Sequence, residues 1–148
     1  MTAKQYLSQI RRLDIQIGQR REELDRLHSA AQSVSVHAGD ARHSFGGSDR
    51  VGDTAARLCD LEAEINKDVQ VLAELRHKII NQIQRLGDTR HVDLLYRRYV
   101  NYQSWEEISD SMYYTVRHVQ RLHGSALQEF ARCNPNMSHN VIECHVCM

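Results

Sequence analysis

The chain of 148 residues contains a single proline, Pro135, which lies close to its end. Because proline is the residue that most strongly breaks a helix, nothing before it forbids helical structure. No apolar run approaches the roughly 20 residues that a helix needs to cross a bilayer, and the N-terminus lacks the charged-then-apolar layout of a signal peptide. The sequence therefore predicts an all-α protein without a membrane partner, located in the cytoplasm.

Cysteine is also sparse, and three of the four cysteines lie near the C-terminus. Cys144 and Cys147 have the two-residue spacing that lets both thiolates bind one tetrahedral zinc ion. The chain lacks a second such pair, and the run from Pro135 to Met137 favours an unstructured tail, so we predict no metal site. The residues that could form one are Cys133, His139, Cys144 and Cys147.

The chain lacks the motifs of a catalytic site. Its nine histidines are scattered, and none belongs to a zinc-protease, nucleophile-elbow or phosphate-loop pattern. Neighbouring carboxylates such as Glu22 and Glu23 fall on helix faces that should be exposed to water, where nothing would prepare them for acid–base catalysis. We therefore predict a protein that is not an enzyme and uses no cofactor.

What the chain does have is two long stretches with apolar residues at alternating spacings of three and four, the heptad pattern of helices that pack along their length. We predict helices from Ala3 to Ala31, with Arg20 at one position of the apolar stripe, and from about Thr54 to Leu86. The stripes consist of Tyr6, Ile10, Leu13, Ile17, Leu24, Leu27 and Ala31, and of Leu58, Leu61, Ile65, Val69, Leu72, Leu75, Ile79, Ile83 and Leu86. Because neither helix can bury its stripe alone, the two should form an antiparallel, coiled-coil-like hairpin or pair with a second copy.

The segment between these stretches is rich in serine, glycine and aspartate and has no periodicity, which predicts a mobile loop at about 32–53. Gly87 and Asp88 should end the second long helix. A further helix is expected from about Arg90 to Asn101, with its apolar residues facing the last part of the chain.

Two short helical patterns then meet at a turn. Ser104 is followed three residues later by Glu107, the capping-box spacing, so a helix should begin at Trp105. Thr115 supplies a second N-cap hydroxyl, in front of a helix that begins at Val116. The residues that should pack inward are Trp105, Ile108, Met112, Val119, Leu122 and Ala126. This is the outline of a helix-turn-helix.

The second of these helices, predicted over 116–130, leaves Val116, Arg117, Gln120 and Arg121 outside. Arginine can bind guanine through two hydrogen bonds and glutamine can bind adenine in the same way, so these residue types suit base recognition in a major groove. We expect Val116 near a thymine methyl group. Other expected DNA contacts are His118 on the same helix, and Arg97 and Arg98, which should lie near phosphate.

The run from Leu94 to Leu127 resembles the fourth region of sigma-70 factors and the sigma-like regulators of phages and mobile elements, with SWEEI and VRHVQRLH as its most specific motifs. The segments MTAKQYLSQIRRLDIQI and SDRVGDTAARLCDLEAEI resemble a phage family that joins a helical hairpin to this module. The resemblance implies a DNA-binding transcription regulator in the cytoplasm of a bacterial host, with RNA polymerase as a further partner. The family usually has glycine where this chain has Tyr113, so the turn should be wider or strained.

Charge is the main argument against DNA binding, because nineteen basic and nineteen acidic residues cancel, whereas duplex-binding domains usually carry a basic excess. His118 and His123 could add positive charge if they are protonated near a phosphate. A single copy should bind weakly, which favours a homo-oligomer formed through the long helices or attachment to RNA polymerase.

The sequence thus predicts a helical hairpin over 1–87, a sigma-like helix-turn-helix domain over 88–132 and a flexible tail over 133–148. The function predicted is that of a sequence-specific regulator bound to double-stranded DNA. The alternative is a helical module that binds a host or phage protein and uses its helix-turn-helix only as a scaffold.

Overall fold

A computed structural model describes residues 1–37 and 47–137, and for 34–37 and 47–51 it describes only the backbone. The described residues form helices and no strand, which confirms the all-α class. None of the described helices has a stretch that is both long and apolar enough to span a bilayer. The helices are α1 (Ala3–Leu7), α2 (Gln9–His37), α3 (Gly47–Gln84), α4 (Thr89–Leu95), which continues as a π-helical turn (Tyr96–Val100), α5 (Trp105–Met112) and α6 (Val116–Cys133).

Helix starts follow local hydrogen-bonding signals. Thr2 and Gln5 form a capping box at the start of α1, in which the Thr2 backbone N–H donates to Gln5 Oε1 at 2.9 Å and the Gln5 N–H donates to Thr2 Oγ1 at 3.2 Å. Asp88 caps α4 by accepting from the backbone N–H of Arg90 at 2.9 Å. These side chains satisfy donors at helix ends that have no partner within the helix.

The loop predicted at about 32–53 is wrong at both of its ends. Residues 32–37 belong to α2 and residues 47–53 belong to α3, while 38–46 lie outside the described residues. Extending an existing helix costs much less than starting one, so serine and valine at a helix end can remain helical without an apolar stripe. The prediction from composition therefore ended α2 too early and started α3 too late in the sequence.

Residues 14–70 form one compact unit, called here the middle unit. Within it, the Arg20 guanidinium of α2 binds the Asp68 carboxylate of α3 and lies 3.8 Å from Glu64. Further along, His28 Nε2 lies 3.4 Å from Glu62 Oε1. The leucines of the two stripes here are only half-buried; they are Leu24, Leu27, Leu58 and Leu61.

Residues 1–13 form a second unit, called here the terminal unit, with the described residues 71–137. Its main core brings together buried residues from both ends of the sequence: Tyr6, Leu7, Ile10, Ile79, Ile83, Leu95, Val100, Ala126 and Phe130. The Tyr6 hydroxyl donates to Gln82 Oε1 at 2.9 Å, and the Tyr6 and Phe130 ring centres are 6.1 Å apart. The boundaries between the units therefore lie inside α2 and α3.

A smaller core in the terminal unit consists of Leu94, Ile108, Val119 and Leu122, with Trp105, Met112 and Tyr114 partly buried against it. Ala126 is buried in the main core. The inward positions predicted for α5 and α6 are therefore confirmed. This small core connects α4, α5 and α6 and positions the candidate interface described next.

Candidate nucleic-acid interface

Helix α5 begins with the predicted capping box. The Ser104 backbone N–H donates to Glu107 Oε2 at 2.7 Å, and the Glu107 N–H donates to Ser104 Oγ at 3.2 Å. Ile108 is fully buried and Trp105 is half-buried, so one side of this helix is held by packing. The start at Trp105 is confirmed.

The turn after α5 places Tyr113 in the left-handed region, with φ of 56° and ψ of 40°. The backbone N–H of Tyr114 donates to the Ser109 carbonyl oxygen at 3.1 Å, and Ser109 Oγ donates to the Tyr114 carbonyl oxygen at 2.7 Å. The first of these bonds is the one that defines a Schellman helix end, where glycine is the usual residue. A left-handed backbone costs a residue with a side chain about 1–2 kcal/mol relative to a right-handed one.

Helix α6 begins where it was predicted and extends to Cys133, beyond the predicted end at residue 130. The Thr115 hydroxyl caps it by accepting from the His118 backbone N–H at 3.3 Å. Val119 and Phe130 are fully buried on its inner side. Because these buried side chains fix the rotation of α6 about its axis, the opposite side of the helix points away from the core of the terminal unit.

The opposite side of α6 carries Arg117, Gln120 and Arg121, and all three side chains are exposed. They are called here the outer face of α6. Within the described parts of the chain, none of the three has a hydrogen-bond or ion-pair partner. The polar groups that two-point base recognition requires are therefore not engaged by any described residue.

The other predicted α6 contacts are less accessible. Val116 and His118 are both half-buried. The His118 ring lies against Tyr114, with ring centres 4.7 Å apart. These two residues therefore border the outer face and also take part in packing.

Arg97 and Arg98 have partners inside the chain. Arg97 Nε donates to Asp93 Oδ1 at 2.8 Å. The Arg98 guanidinium lies 4.3 Å from the centre of the Trp105 ring and donates to the Gln103 carbonyl oxygen at 2.7 Å. A cation over an aromatic ring is stabilised by the electron-rich ring face, so Arg98 helps to hold α5.

His123 is buried, with only 9% of its surface exposed, and this burial was not predicted from the sequence. Its Nε2 lies 2.9 Å from the Tyr99 hydroxyl, and its ring meets the Trp105 ring edge-on with centres 5.0 Å apart. Burial lowers the pKa of His123 to about 4 and raises the pKa of Tyr99 to about 12. The expectation that His123 adds positive charge is therefore wrong, because burial keeps the imidazole neutral at neutral pH.

The register of α6 contained a signal for this burial. His123 lies four residues after Val119 and three before Ala126, so it shares their face. Histidine is polar and is usually assigned to the surface, so His123 was not assigned to the buried face.

The only acidic residue of α6, Glu129, is engaged away from the outer face. Its carboxylate accepts from the Gly87 backbone N–H at 2.9 Å and is paired with His91 Nδ1. The hydrogen bond from His91 lowers the pKa of the Glu129 carboxyl, and the bond from Gly87 acts in the same direction. Arg117 and Arg121 therefore lack an acidic neighbour on their own helix.

Among the side chains that the structure describes, no group of His, Cys, Asp and Glu could hold a metal ion. Cys133 is exposed at the end of α6. The other zinc candidates, His139, Cys144 and Cys147, lie outside the described residues.

Comparison with protein-family models, with curated proteins and with solved structures found no match to this chain.

Proposed function

We propose that the chain is a sequence-specific DNA-binding transcription regulator of the sigma-like type, in which α5, the turn at Tyr113 and α6 form a helix-turn-helix. Helix α6 would enter the major groove of a duplex. The observation that carries this proposal is the outer face of α6, where Arg117, Gln120 and Arg121 are exposed and unpartnered within the described residues. Their chemistry matches the two-point recognition of guanine and adenine.

Each DNA contact in the proposal has its own role. Arg117, Gln120 and Arg121 would reach base edges, with Val116 beside a thymine methyl group and His118 at the border of the contact. Arg97 and Arg98 would contribute to a phosphate contact only with the donors that Asp93 and Gln103 leave available. Their main role in this proposal is to position α5.

The long helices would supply the second part of the function. In the middle unit, a later residue of α2 contacts an earlier residue of α3: His28 pairs with Glu62, whereas Arg20 pairs with Asp68. This order supports an antiparallel helical hairpin. Pairing of two copies through the half-buried leucines, or attachment to RNA polymerase, would raise the effective concentration of a weakly bound interface. We place this activity in the cytoplasm of a bacterial host, in a regulator of phage or mobile-element origin.

The alternative function is a helical module that binds a host or phage protein. The zero formal net charge favours it, because phosphate neutralisation supplies much of the affinity of duplex-binding proteins. The salt dependence of duplex binding distinguishes the two functions. Affinity for a duplex should fall steeply with added salt in the proposed function and be absent at every salt concentration in the alternative.

Arg121→Ala should weaken binding to a preferred duplex, selected beforehand from a random pool, by about 1–3 kcal/mol. The fold should be unaffected because Arg121 is exposed and makes no contact that supports the core. Fluorescence anisotropy with the selected duplex measures the loss, and circular dichroism checks the fold.

Arg132→Ala is the matched control, since Arg132 is also an exposed arginine of α6 but lies in its last turn. The control should bind within about 0.5 kcal/mol of the parent protein, the usual range for an exposed substitution. Equal losses for the two variants would mean that general charge, and not recognition by the outer face, determines binding.

A further inference from the structure

Two tyrosines next to α5 have the same rare backbone conformation but use their rings differently. Tyr102 precedes α5 with φ of 58°, and Tyr113 follows it with φ of 56°; they are the only non-glycine residues with positive φ among the described residues. The Tyr102 ring packs against the main core and has the Arg11 guanidinium 5.8 Å from its centre. At Tyr102, the ring therefore contributes to the fold.

Among the described residues, the Tyr113 ring has no such internal role. Its exposed fraction is 94%, whereas the other exposed large apolar residues of the described chain, Ile15 and Met1, reach 52% and 40%. Glycine would satisfy the turn without backbone strain. The chain thus combines a strained backbone with a ring that lies almost entirely free of the described residues, a combination typical of residues that act on a partner.

The position of the ring identifies the partner. Tyr113 lies two residues before Thr115, the N-cap of α6, and it precedes the outer face of the same helix. In a helix-turn-helix the N-terminal residues of the second helix contact base edges, so a side chain just outside that end faces the rim of the groove. The rim of a groove consists of deoxyribose and phosphate.

We propose that Tyr113 binds the sugar–phosphate backbone of the duplex, with its ring against a deoxyribose and its hydroxyl donating to a phosphate oxygen. This inference rests on the proposed DNA-binding function. Tyrosine is among the side chains that make such contacts, which fix the orientation of a protein on DNA without reading sequence. An uncharged contact also suits a chain without net charge, because it adds affinity without a cation.

The test compares Tyr113→Gly with the parent protein on two duplexes, the selected one and a scrambled one of the same length. Tyr113→Gly should weaken binding to both by the same factor, about 5- to 10-fold, the size expected when one hydrogen bond and its apolar contact are lost. The slope of affinity against salt should remain unchanged, because no cation is removed. The melting temperature should rise by about 2–4 °C as backbone strain is relieved.

Two further variants separate the roles of the ring and the backbone. Tyr113→Phe keeps the ring and removes only the hydroxyl. Its loss of duplex affinity should therefore be about half of that of Tyr113→Gly on a logarithmic scale. Tyr102→Gly is the matched backbone control, because it relieves the same strain but removes internal packing; its melting temperature should fall.

The outcomes distinguish the inference from the function on which it depends. Parent-like duplex affinity of Tyr113→Gly, together with a clear loss in Arg121→Ala, overturns the contact by Tyr113 and leaves the DNA-binding function in place. A loss confined to the selected duplex overturns the assignment to the backbone, since the ring would then read sequence. If the parent protein binds no duplex at any salt concentration, the proposed function fails and this inference fails with it.

Discussion

Phe130→Ala should destabilise the terminal unit by about 3–5 kcal/mol, the usual cost of removing a fully buried aromatic side chain. Phe130 has no exposed surface and lies in the last turn of α6, where its ring contacts Tyr6 of α1. Loss of the Phe130 ring would leave a cavity between α1 and α6. Because small domains are stable by only about 5–15 kcal/mol, a large fraction of the stability would disappear. Urea unfolding followed by circular dichroism measures the change.

Tyr6→Ala and the double variant show whether the two ends stabilise each other. Tyr6 is 2% exposed and donates a hydrogen bond to Gln82, so its loss should be of similar size. Since the rings are in contact, the cost of the double variant should differ from the sum of the two single costs by at least about 0.5 kcal/mol. Leu24→Ala, at a half-buried position in the middle unit, should cost about 1 kcal/mol. Additive costs for Tyr6 and Phe130 would contradict a shared core.

The helix starts and the inner faces could be predicted because their causes are local. The Ser104 and Glu107 capping box and the Thr115 N-cap are encoded within a few residues of each helix start, and both helices begin where they were expected. The spacing of Ile108, Val119 and Leu122 likewise determined which sides are buried.

The division of the chain into units could not be predicted, because it depends on contacts between distant segments. The stripe from Tyr6 to Ala31 continues through both units without a change in period, so nothing in it shows that Tyr6, Leu7 and Ile10 belong with α6. The predicted ends of the loop at about 32–53 were wrong for a related reason. A helix end without a proline has no residue that forces the helix to stop there.

At the candidate interface, the exposed residues could be predicted and the internal arginine contacts could not. Arg117, Gln120 and Arg121 follow directly from helical periodicity. Arg98 lies in the π-helical turn, and the left-handed Tyr102 lies between it and Trp105. Neither feature has a sequence signal here, because tyrosine is an unusual residue at positive φ.

Acidification should destabilise the terminal unit through His123. Its pKa is about 4 in the folded protein, compared with an ordinary value of 6.5, so between these pH values the unfolded chain binds more protons than the folded one. The contribution of a neutral His123 is therefore fully present above pH 6.5 and is lost as pH falls towards 4. One pKa unit corresponds to about 1.4 kcal/mol, so the loss should be about 2 kcal/mol between pH 7 and pH 5 and about 3 kcal/mol by pH 4.

The cause of this pH dependence is burial first, followed by the nearby charges of Arg98 and Lys4. The pKa of Tyr99 is raised to about 12, so its hydroxyl stays protonated within hydrogen-bond distance of His123 Nε2. His123→Gln offers an acceptor to Tyr99 but cannot titrate, and its unfolding free energy should be nearly flat from pH 7 to pH 5. His118→Gln, at a half-buried position on the same helix, should keep the parental slope. A parental slope in His123→Gln as well would assign the acid sensitivity to other groups.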